Sequence, residues 1–205
     1  MRFYKNDAIS ILKPFFSDFR QCVESGFSTC LTEYKPYTHL YARRTKASLV
    51  YDHIIDEARK TFADKNNINI IETNGLFLID VGGEILIRFK KFNTDLRSSN
   101  FPTKQQLCFK QQLNLPGIPP NLPRLEAGYV PNPLWTKLEG IYITYPIGDK
   151  INWFIEIEEY SKKPKTIPLP FPLNPPKDNN VAKRVRVKAE PIDIKSKRTT
   201  LKTIK

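Results

Sequence analysis

The chain has 205 residues and a formal net charge of +12, most of it in residues 161–205, which hold 13 Lys/Arg against 3 Asp/Glu. This length suits one domain with a sizeable core plus an extension, and the charge points to a polyanionic partner such as nucleic acid. Three cysteines (Cys22, Cys30 and Cys108) with no CxxC pair exclude a disulfide framework or a cysteine zinc site. No apolar run reaches the roughly 18–20 residues of a membrane span, and MRFYKNDAIS lacks the apolar stretch of a signal peptide. A soluble protein of the reducing cytoplasm, without a membrane partner, is expected.

Residues 7–24 place Ile11, Leu12, Phe15, Phe16, Phe19, Cys22 and Val23 at near-helical spacing. Asp7 can cap the start, Pro14 should kink the helix, and Gly26 should stop it. The aromatic stretch 27–44 shows no legible period. A clearer helix covers 45–62, with Ala47, Val50, Ile54, Ala58 and Phe62 on one stripe. INIIE at 68–72 reads as a short β-branched strand. Asn74-Gly75 reads as a turn, and Gly82-Gly83 between LFLID and EILIRFKKF as the tight turn of a hairpin. In the last of these three strands Ile85, Ile87 and Phe89 point to one face and Glu84, Leu86, Arg88 and Lys90 to the other. One face is expected to be buried and the other half polar. Pro102 opens a helix over 103–113, an extended loop fills 113–123, and strands are expected near 125–131, 139–145 and 151–157.

The expected fold is therefore α+β: a single domain, residues 1–160, with a mixed or antiparallel sheet of about six strands and two or three helices, containing the order αβββαβ. Beyond it, PLPFPLNPPKDNN is proline-rich and KRVRVKAEPIDIKSKRTTLKTIK is charged. Residues 161–205 thus read as a Pro-rich linker and a disordered basic tail.

Polar residues crowd into 74–103. Arg88, Lys90, Lys91 and Arg97, with Ser98 and Asn100 as hydroxyl and amide donors near a helix start, form a candidate phosphate-binding set. The structural alternative pairs Asp95 with Arg97 or Lys91 to fix the strand-to-helix connection. His53 and Glu57 share a helix face at i,i+4 and could hold a metal or position a base, against the alternative of a solvated face with Arg59 as counter-charge.

The order αβββαβ resembles the core of the PDDEXK nucleases. That resemblance implies carboxylates holding Mg²⁺ and a lysine assisting the attacking water. Asp80 and Lys90 stand at the positions of the family's aspartate and lysine, with Glu57 as an additional acid and Glu84 beside Asp80 as a second metal ligand. Arg88 occupies the position of the family's glutamate, and arginine cannot ligate a metal. The plain alternative is that Asp80 and Glu84 flank a Gly-Gly turn. Separately, RTKASLVYDHIIDEARKTF, NGLFLIDVGGEILIRFKKFNTDLRSSNFPTKQ, QLNLPGIPP and LEAGYVPNPLWTKLEGIYITYP with WFIEI resemble a family of uncharacterised bacterial proteins over residues 43–157. That family is similar in layout to second genes beside helix-turn-helix regulators, often fused to zinc metallopeptidase domains, in toxin–antitoxin or phage-defence modules. The resemblance implies partnership with a cognate regulator or antitoxin and names no reaction. The leading expectation is a toxin-like effector that acts on or binds nucleic acid. A divergent metal-dependent nuclease and a noncatalytic interaction protein with a basic tail are the alternatives.

Overall fold

Among residues 3–37, 39–98 and 101–158, which the computed structural model describes, three helices precede the sheet. They are α1 (Lys5–Leu12), α2 (Phe16–Glu33) and α3 (Arg43–Phe62). The single kinked helix expected over 7–24 is two helices, because Pro14 has no amide to donate and lies in a 3-10 turn, Lys13–Phe15, that joins them. Gly26 does not stop α2. It lies where α2 crosses α3, and a Cβ there would stand 2.6 Å from Ile54 Cγ1 and 2.7 Å from Ile54 N. Glycine lets the two backbones approach, and α2 runs on through residues 27–33.

Six strands follow: β1 (Ile68–Thr73), β2 (Leu76–Val81), β3 (Ile85–Lys91), β4 (Arg124–Pro131), β5 (Leu138–Ile147) and β6 (Lys150–Glu156). They lie side by side in chain order. All neighbouring pairs are antiparallel except β3 and β4, which are parallel. Parallel neighbours need a long crossover, here residues 92–123, which carry α4 (Lys104–Lys110). The Thr103 hydroxyl caps α4 by accepting from the Gln106 amide at 3.2 Å. The fold is α+β with a mixed six-stranded sheet, and α3, β1, β2, β3, α4 and β4 follow one another in that order. The expected basic tail, 161–205, lies outside the described residues.

Helices α1 to α3 cover one face of the sheet, where Phe19, Ile54 and Phe62 pack with Ile79, Ile87, Phe89 and Ile143. On the opposite face Phe109 of α4, with Leu115 and Ile118 of the following loop, packs on Leu78 and Leu86. β3 is therefore buried on both faces from Ile85 to Phe89, not half polar on one. Burial of each large apolar side chain contributes roughly 1.5–3 kcal/mol, so this second layer stabilises the centre of the sheet as well as shielding its polar residues.

The sheet also contains a seam. β1 and β2 stay in register to Thr73↔Leu76, and β3 and β4 to Lys91↔Tyr129. β2 and β3 register only over Ile79–Val81 and Ile85–Ile87. Past Ile87, β3 follows β4 and leaves the first half of β2.

Candidate anion site at the carboxyl ends of β3 and β4

Alternation along β3 sends Arg88 and Lys90 to the α4 side of the sheet and Lys91 to the side of α2 and α3. Arg88 is in register with Glu126 of β4, and residues opposed on neighbouring strands share a face. The guanidinium donates to Glu126 Oε1 from Nη2 at 2.5 Å and from Nε at 3.1 Å. Its carbon stands 3.6 Å from the centre of the Phe109 ring. Arg88 is 2% exposed and Glu126 is fully buried. Burial pulls the Arg88 pKa below its ordinary value, and the Glu126 charge and hydrogen bonds oppose that shift. The two side chains face each other as a buried ion pair. Glu126 Oε2 is buried with no hydrogen-bond partner among the described residues.

Lys90 lies beyond this pair, toward the end of β3. Its ammonium is 6.0 Å from the centre of the Tyr51 ring. Tyr51 belongs to α3 on the other side of the sheet, so the two side chains meet because β2 has left β3 at the seam. Burial, then the Arg88 charge, push the Lys90 pKa down to about 8; Glu126 opposes this and Lys110 adds to it. On the α3 side, burial and then Arg43, in the first turn of α3, lower the Lys91 pKa. The Lys91 ammonium is 5.9 Å from the centre of the Trp135 ring. Cations gather from β3, α3 and α4 at the carboxyl ends of the two parallel strands, the end at which open sheets with parallel strands bind ligands.

The remaining expected site residues are not brought together. Asp80 is 7% exposed, and its Oδ1 accepts from the Gly83 amide at 2.9 Å, closing the β2–β3 turn. Glu84 is exposed in that turn. Glu57 accepts from Gln21 Nε2 of α2 at 3.1 Å. Among the described residues no three His, Cys, Asp or Glu side chains converge to hold a metal ion. His53 does not pair with Glu57 either; its Nε2 lies 3.9 Å from Glu33. The Phe92–Ser98 loop is held by Asn93, whose side-chain oxygen accepts from the amides of Asp95 and Arg97 at 3.1 and 2.8 Å. The alternative ion pair of Asp95 is not seen among the described residues. Arg97 and Ser98 line a small recess with Lys110 and Glu126, and Lys110 donates to the Ser98 carbonyl at 3.2 Å. Asn100 lies outside the described residues.

Glu126, Phe109, Tyr51, Arg43 and Lys110 complete the site and were not singled out from the sequence. The legible signal was a pair of period-two patterns, Arg88 and Lys90 on one strand and Arg124 and Glu126 on another. Their meeting depends on a parallel pairing that no local pattern encodes. No helix among the described residues is long and apolar enough to cross a membrane. No family model matches the chain, and no curated protein or solved structure matches it either.

Proposed function

We propose that the chain is a nucleic-acid-binding effector of a toxin–antitoxin or phage-defence pair, binding phosphates through the cationic end of β3. One observation carries the binding reading: Lys90 and Lys91 leave the same strand end on opposite sides, and each sits within electrostatic reach of a further cation, Lys110 or Arg43. Like charges held together lower one another's pKa, and an anion between them relieves that strain. Arg97 adds an exposed cation at the neighbouring loop. Arg88 serves a different purpose from that expected, since its guanidinium is committed to Glu126 and orients the strand beneath Lys90. The partnership with a helix-turn-helix regulator rests on the family resemblance. A metal-dependent nuclease would need acids that converge, and the described residues offer no such group.

The test uses the full chain, a labelled oligonucleotide and a salt titration. Arg43→Gln with Lys91→Gln should weaken binding and flatten the salt dependence, the slope falling by about 0.7–0.9 per phosphate that is no longer neutralised. A companion variant neutralises Lys183, Arg184, Arg186 and Lys188. Binding that survives the first variant unchanged and vanishes in the second would refute a site in the folded body. Induced expression of the same variants in a bacterial host reads the effector half: growth arrest should need Arg43 and Lys91.

A further inference from the structure

We propose that the chain reads RNA in preference to DNA, by seating a ribose 2′-hydroxyl in the recess beside Glu126. This rests on the nucleic-acid reading above and names its substrate class. The recess lies where the Phe92–Ser98 loop, α4 and the β5–β6 turn meet, and it holds about 10 Å³, room for one water-sized group. Glu126 forms part of its wall. Arg88 directs both of its bonds to Oε1 and does not line the recess. That leaves Oε2 as the oxygen without a partner, in a side chain that is fully buried. A buried carboxylate oxygen that lacks a donor carries an uncompensated desolvation cost, so a ligand that brings a donor is favoured there.

The walls are held before any ligand arrives. Lys110 Nζ donates to the Ser98 carbonyl at 3.2 Å, and the Gly148 amide donates to the Lys110 carbonyl at 2.9 Å, so α4 ties the loop and the turn together. Gln112 Nε2 donates to the Arg124 and Pro146 carbonyls at 2.9 and 3.0 Å, which closes β4 against the end of β5. Inside, the acceptor Glu126 shares the recess with a cationic donor, Lys110, whose ammonium spends only one of its protons on Ser98. A hydroxyl is a water-sized group that donates and accepts at once, and so suits both. The amino group of a base only donates, and would meet the Lys110 ammonium with like polarity. At the rim Arg97 and Lys150 are exposed cations, against one exposed acid, Asp149. A ribose carries its 2′-hydroxyl next to the 3′-phosphate, so the hydroxyl enters the recess while the phosphate meets the rim.

The experiment measures binding of the full chain, by fluorescence anisotropy at fixed salt, to single strands of one sequence made as RNA, DNA, 2′-fluoro RNA and 2′-O-methyl RNA. The fluoro strand keeps an RNA-like sugar but cannot donate, and the methyl group is too large for the recess. RNA should bind about tenfold tighter than each of the others, the scale of a hydrogen bond to a charged acceptor. DNA bound as tightly as RNA would overturn the proposal and leave the nucleic-acid reading standing, whereas binding of none of the strands would overturn both. Fluoro RNA bound as well as RNA would mean that sugar shape is read and not donation to Glu126, which also overturns it. Arg97→Gln with Lys150→Gln should weaken RNA and DNA alike and keep the preference. Lys110→Met should narrow the preference; an unchanged one would refute the paired contacts of the hydroxyl. Glu126→Gln should abolish it, and the modified strands on the wild type carry the test if that variant misfolds.

Discussion

Replacing Glu126 by glutamine keeps the shape of the side chain and an oxygen acceptor for Arg88, and removes only the charge. The Arg88 guanidinium would then be 2% exposed, near Lys90, with no carboxylate against it. Removing one partner of a buried ion pair typically costs about 3–5 kcal/mol, because the remaining charge stays desolvated. The stack on Phe109 at 3.6 Å persists and recovers only part of this. For a chain of this size the loss corresponds to a melting temperature lower by about 6–20 °C. Urea unfolding followed by far-UV circular dichroism measures it. The double variant Arg88→Met with Glu126→Leu should recover most of the loss, since well-packed apolar replacements of buried pairs are often neutral or better. A cost below about 1 kcal/mol for Glu126→Gln, or a double variant no better than either single one, would refute the view that the pair is a desolvated unit. The same reasoning predicts that Arg88→Ala lowers stability, so a loss of activity in that variant would not by itself place Arg88 on a ligand.

Two further outcomes follow from close approach and from burial. Gly26→Ala should cost about 1–3 kcal/mol in thermal denaturation, because the new methyl meets the Ile54 backbone at 2.7 Å and a helix crossing must open to admit it; an unchanged melting temperature would contradict the crossing. Lys90 binds its proton less tightly when folded, at a pKa of about 8, than when unfolded, at about 10.4. Its charged form therefore opposes folding below pH 8, and stability should rise between pH 8 and pH 10 by at most about 1.4 kcal/mol per unit. Lys90→Met should be more stable than the wild type near pH 7, by up to about 3 kcal/mol, with the gap closing as pH rises; a constant gap would mean that Lys90 is solvated.

Periodicity, glycine turns and β-branched runs determined most of the local structure. The α3 stripe and the Gly82-Gly83 hairpin are written in neighbouring residues, because the forces that shape them act within a few positions. Where a local rule met a tertiary contact, the contact decided. Gly26 carries the signature of a helix stop, yet packing against Ile54 makes it the crossing point of a longer helix. The alternation of β3 correctly separated Arg88 and Lys90 from Ile87 and Phe89, but it could not tell water from α4 on the second face. The sequence by itself determined the order of α3, α4 and the strands, and the charge of the β3 end. Only the tertiary structure decided that Arg88 belongs to Glu126, 38 positions away. A parallel crossover joins those two strands, and the burial that made a charge need its partner came from packing distant in sequence.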